Sequence, residues 1–95
     1  MKRIFLLTAV LFFSLWEKLF IKKEYKEENL ILYLHFQGEN AVRQIEIYPE
    51  EKIKLSELLP IFKGHFLYDQ NFSDVKWDEC DFITKNEFEK EWNKK

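Results

Sequence analysis

The chain has 95 residues and a formal net charge of −2, from 15 basic and 17 acidic side chains. That length bounds it to one small domain. Without a basic excess it is a poor match for nucleic acid, whose phosphates need a neutralising surface, and a single cysteine, Cys80, excludes an internal disulfide. Only two glycines and two prolines accompany an aromatic fraction of 18%, which argues against a disordered or low-complexity chain.

Met1-Lys2-Arg3 leads into IFLLTAVLFFSLW, a run with no charged side chain. Three readings compete for it. A signal peptide has this basic start and apolar run, but the small-x-small cleavage pattern is poor, since Phe12 stands two before Ser14. A transmembrane anchor needs about 20 apolar residues. Adding Leu19-Phe20-Ile21 approaches that length, with Glu17 and Lys18 near enough to one end to reach the headgroups. The third reading is a buried helix of a soluble domain. The anchor is the leading expectation: a long apolar helix that meets the membrane through residues 4–21 and crosses it once. Its alternative is a secreted or periplasmic product after cleavage. Basic residues nearly balance on the two sides, so orientation stays open. EKLFIKKEYKEE at 17–28 reads as a polar continuation of the helix, with Lys23 and Glu27 four apart. The expected organisation is therefore an anchor and stalk over 1–28 and a small domain over 29–95.

Leu30 to Tyr48 reads as a β-hairpin. Leu30, Leu32, Leu34 and Phe36 alternate with Ile31, Tyr33, His35 and Gln37, so the first set makes an apolar face. Gly38-Glu39-Asn40 suits a short hairpin loop. On the return, Ala41, Arg43, Ile45 and Ile47 share one face, and Val42, Gln44, Glu46 and Tyr48 the other. Pro49 lacks the N–H that a ladder needs and ends the strand. Lys52-Ile53-Lys54-Leu55 alternates as a third strand. Ser56 is positioned to cap a short helix over Glu57 to Lys63, stopped by Gly64. His65 to Tyr68 reads as a further strand and Asp69 to Asp74 as a loop. Thr84-Lys85-Asn86-Glu87 has the pattern of a capping box, Ile83 and Phe88 that of a hydrophobic staple, and Phe88 and Trp92 share one helical face. The fold class expected is α+β: the long N-terminal helix, then a small antiparallel sheet covered by a short helix and a capped C-terminal helix.

No catalytic constellation emerges. His35, His65 and Cys80 lack any spacing that would join a nucleophile to its base. One cysteine and two distant histidines do not make a zinc site. The run from Asp69 to Cys80 starts like a calcium loop, but has Asp74 at the glycine position and Cys80 at the chelating glutamate position. No cofactor is expected. The feature left over is acidic: Asp69, Asp74, Asp78, Glu79 and Asp81 against Lys76 alone. Such a surface fits a basic protein partner, with Trp77 as its apolar anchor if exposed.

RQIEIY at 43–48 and DFITKNEFEKEW at 81–92 resemble a group of small bacterial domains of unknown function, which carry an R-[KQ]-[IV]-E-[IV]-[FY] strand and end in I-[ST]-x-x-E-F-x-x-x-W. The likeness spans about residues 30–93. It implies a compact α+β fold and an accessory or immunity-type binding role, and carries over no catalytic residue. The expected function is thus a non-enzymatic, membrane-tethered interaction module that binds a protein through Asp69, Asp74, Trp77, Asp78, Glu79 and Asp81. One version is an inhibitor of a basic toxin. The alternatives are an accessory subunit of a membrane complex, acting through the apolar helix, and an exported domain.

Overall fold

The computed structural model describes residues 18–95. Four strands form an antiparallel meander in chain order: β1 (Lys18–Tyr25), β2 (Leu30–Gln37), β3 (Asn40–Ile47) and β4 (Lys52–Ser56). A two-stranded hairpin follows, β5 (Ile61–Phe62) with β6 (His65–Phe66), and the chain closes with one helix, α1 (Lys85–Asn93). This corrects the α+β expectation, because the described chain is mostly antiparallel sheet.

The expected helix through Ile21 and its polar stalk are not formed where they can be seen: Lys18–Tyr25 is the first strand, paired along its whole length from Lys18↔Gln37 to Tyr25↔Leu30. Residues 26–28 form one 3₁₀ turn, closed by Asn29 at φ 52. Leu19-Phe20-Ile21 is a short apolar run of the kind that periodicity cannot assign to helix or strand. Partner strand β2 decides it by offering an apolar residue to either face. Among the described residues no helix is long and apolar enough to cross a membrane, which overturns the expected transmembrane helix and signal-anchor. The remainder of that expectation, residues 1–17, lies outside the described residues.

The sheet is covered on both sides. On one face Phe20, Tyr33 and Ile45 pack with Phe88 of α1, flanked by Ile31, Ile47, Ile83 and Trp92. On the other, Ile21, Leu32, Leu34, Phe36 and Ala41 pack with Phe72, Leu67, Tyr68 and Trp77 of the segment between β6 and α1. The Phe36 ring meets Phe72, Tyr68 and Trp77 edge-on, and Trp77 donates its indole N–H to the Phe72 carbonyl at 2.9 Å. Two-sided cover explains why β2 reads as almost continuously apolar rather than cleanly alternating. A register shift at His35/Phe36 pairs His35 with Arg43 but Phe36 with Ala41. This β-bulge puts Ala41 among the residues beside Phe36, not on the Arg43 face that strict alternation assigns.

The short helix expected over Glu57 to Lys63 is instead a turn and the β5–β6 hairpin. Ser56 and Leu59 bond each other through both main-chain groups, at 3.1 and 3.0 Å, and Pro60 precedes β5. Lys63 (φ 51) and Gly64 (φ 80) make the hairpin turn. Two successive positive φ angles are the conformation that matches strand twist, so Gly64 serves a hairpin rather than a helix end. α1 starts where the capping pattern places it: Thr84 Oγ1 accepts from the Glu87 N–H at 3.1 Å.

Phe88 is fully buried under the sheet and Leu58 is 97% exposed. Phe88→Ala is therefore expected to cost about 3–5 kcal/mol, and Leu58→Ala to stay within about 0.5 kcal/mol, in urea unfolding followed by circular dichroism.

Candidate functional site

On the helix side, Arg43 joins sheet to helix. Its side chain donates from Nε to His35 Nδ1 at 2.9 Å and from Nη1 to Glu89 Oε1 at 3.1 Å, with Nη2 on the other Glu89 oxygen. The guanidinium lies over the Phe88 and Trp92 rings, 4.7 and 5.0 Å from their centres. The Arg43 bonds hold the Glu89 carboxyl below the usual range. His35 is stacked on Phe20, with ring centres 4.6 Å apart, and its buried Nε2 has no partner among the described residues. Burial first, and the Arg43 charge second, bring its pKa down to about 4. His35 is thus held as a neutral packing group whose Nδ1 accepts from Arg43.

The helix end is held by a second pair of cations. Lys52 Nζ donates to the Glu91 carbonyl and carboxylate, both at 2.7 Å, and Lys54 Nζ to the Lys94 carbonyl at 2.9 Å. Lysines here complement the negative end of the helix dipole.

The opposite side is built on a buried carboxylate. Glu46, 6% exposed on β3, accepts from Tyr48 Oη at 2.6 Å and from Gln44 Nε2 at 2.7 Å, and meets His65 Nδ1 at 2.8 Å. Burial, then the bond to Glu46, push the Tyr48 hydroxyl up to about 12. Gln44 also donates to the Phe66 carbonyl at 3.1 Å and accepts from the Tyr68 N–H at 2.7 Å. These bonds tie the β5–β6 hairpin to the sheet. The hairpin and the turn before it present Leu58, Leu59, Ile61, Phe62 and Phe66 to solvent, all 40% exposed or more. Sequence reading missed this projection, because the short-helix assignment hid it. The LLPIF run, too apolar for an exposed turn, was the available signal.

The six acidic-region residues divide in the structure. Asp69, Asp74, Asp78 and Glu79 are exposed. Asp78 shares a capping box with Asp81. Asp81 is buried: its Oδ2 accepts from the Asp78 N–H at 2.8 Å and from Lys23 Nζ at 3.1 Å. Burial raises the Asp81 carboxyl, but the Asp78 and Lys23 bonds outweigh it and hold the group below its ordinary value. Trp77 is half-buried against Phe36 and Phe72, so its ring is part of the core and not a free anchor. Asp81 and Trp77 therefore dock the acidic segment on the sheet, and the other four carboxylates remain as its outer face. Asp78, Cys80 and Asp81 place one ligand atom each within 4.8 Å of one another, but the Asp81 oxygen is committed to Lys23 and the Asp78 N–H, leaving a poor donor set. His35 and His65 lie in separate networks, distant from Cys80 in chain and in role.

No family model matches the chain. No curated protein and no solved structure matches it either. The resemblance of RQIEIY and DFITKNEFEKEW to small bacterial domains rests on those two stretches alone.

His35 separates two acid transitions. Its pKa is depressed on folding, so its contribution is complete above the unfolded value of 6.5 and is lost as pH falls towards about 4. The contributions of Asp81, Glu89 and Glu91, whose pKa values are also lowered, are present above the ordinary carboxylate range and lost below it. Stability by urea titration is therefore expected to drop by about 3 kcal/mol between pH 6.5 and 4. His35→Phe is expected to flatten that interval and leave the steeper loss at lower pH. An unchanged slope in the variant would remove His35 as the cause.

Proposed function

We propose that the chain is a non-enzymatic protein-interaction module whose acidic loop face receives a basic protein partner. The observation that supports this is the state of the carboxylates: Asp69, Asp74 and Glu79 are exposed and enter no ion pair among the described residues, while the segment carrying them is anchored by Trp77, Phe72 and the Lys23–Asp81 pair. A rigid array of unpaired like charges costs folding free energy through self-repulsion, and speeds association with an opposite field. Inhibition of a basic toxin is one activity of this kind. The two buried carboxylates, Glu46 and Asp81, are both taken up by structural bonds, which leaves the exposed ones to meet a partner.

The test uses a photo-cross-linking amino acid introduced in the producing cell, at Asp74 in one strain and at Lys90, on the exposed side of α1, in another. A discrete adduct is expected from position 74 and not from position 90. It is expected to fade with added salt and to vanish when Asp69→Lys and Glu79→Lys are combined. Adducts that are the same from both positions, or that ignore the charge reversal, would overturn the reading.

A further inference from the structure

The far edge of the sheet has a different chemistry. Tyr48 N–H donates to the Glu51 carbonyl and Glu57 N–H to the Val42 carbonyl. With the register of β3 and β4, the pairs that exchange main-chain bonds are therefore Glu46–Ile53 and Gln44–Leu55. The main-chain groups of Lys52, Lys54 and Ser56 point out of the sheet. Ser56 is closed by Leu59, whereas those of Lys52 and Lys54 have no partner among the described residues. Beside this edge runs an open groove of about 330 Å³, lined by Ile53, Leu59 and Phe62 and by Lys52, Lys54 and Lys95. Lys54 Nζ is bound to a carbonyl and not to a carboxylate, and Lys95 enters no ion pair among the described residues. Lys52 is paired with Glu91, so the groove joins an apolar wall on the hairpin side to two lysines on the helix side, Lys54 and Lys95, that enter no ion pair among the described residues.

We propose that the β4 edge takes an extended, acidic segment of a partner protein as a fifth strand. Side chains of a strand alternate between faces. A segment that alternates acidic with large apolar residues would set its acids against Lys54 and Lys95 and its apolar groups against Leu59 and Phe62, while its main chain bonds Lys54 and Lys52. Charge complementarity selects this occupant over a second copy: antiparallel pairing of β4 with itself would set lysine against lysine, a repulsive arrangement typical of edges protected from self-association. The inference does not rest on the acidic loop, which sits at the other side of the molecule and selects the opposite charge.

The experiment titrates the full chain with a short peptide alternating Glu with Val and Phe, followed by amide hydrogen exchange and NMR shifts. Protection of the Lys54 amide is expected, with shifts at Lys52, Leu59 and Phe62. A peptide with Lys in place of Glu, and one N-methylated on its alternate bonding amides, are each expected to bind at least about tenfold more weakly. Phe62→Ser should weaken binding of the first peptide similarly, and Cys80→Ser, at an exposed uncharged position, should leave it unchanged. Three results would overturn the proposal: no protection at Lys54 at the highest soluble peptide concentration, equal binding of the Lys peptide, or protection that rises with protein concentration in the absence of peptide. The last would put a second copy on the edge.

Discussion

Arg43 is the group on which the two layers depend. A sheet face bearing Phe20, Tyr33 and Ile45 needs apolar cover, and α1 supplies it with Phe88 and Trp92. A nine-residue helix is too short to persist by itself. Its middle is tied to the sheet by one guanidinium that reaches across the interface to Glu89, takes His35 as a neutral acceptor, and lies over two aromatic rings, while Lys52 and Lys54 hold its end. Planar, multidentate bonding with stacking is something a lysine would not provide. The same arrangement accounts for His35: a buried imidazole that must accept from an arginine is kept neutral, and its other nitrogen has no partner among the described residues.

The other layer solves the same problem with a carboxylate. Glu46 and Gln44 occupy positions where a sheet buried on both sides would ordinarily carry apolar residues. Their bonds to Tyr48, His65, Phe66 and Tyr68 satisfy them and fasten the β5–β6 hairpin. A buried polar network that is fully satisfied specifies one arrangement of its neighbours. Here the arrangement is a hairpin held with apolar side chains outward. Exposed apolar groups on a rigid, hydrogen-bonded support form a defined surface rather than a loose turn.

These two fastenings leave the surface divided by charge. The segment between β6 and α1 is pinned by Trp77 and by Lys23–Asp81, so its remaining carboxylates face solvent. The β4 edge lies beside Lys54, Lys95 and the Lys52-bound end of α1. The near-zero net charge of the chain conceals this separation, because the two signs cancel in the sum and not in space.

Local signals determined part of this protein. Leu30 to Tyr48 could be read as a hairpin because alternation and a Gly-containing loop are short-range properties, and α1 could be read because Thr84, Ile83, Phe88 and Trp92 lie within about three turns. Both depend on residues a few positions apart. The failures share a different cause. Leu19-Phe20-Ile21 is equally suited to a helix or a strand, and only pairing with Phe36, His35 and Leu34 of β2, 13 to 17 residues further along, made it β1. Ser56 with Gly64 matches a capped and terminated helix as well as a hairpin, until the polar groups of Gln44 and Glu46 and the Ser56–Leu59 bonds fix the second. Trp77 and Asp81 were legible as an aromatic and an acid in an acidic stretch, but their burial follows from Phe36 and Lys23. Composition and spacing report what each residue can do. Which of those options is taken depends on distant partners, whose pairing offsets the cost of burial.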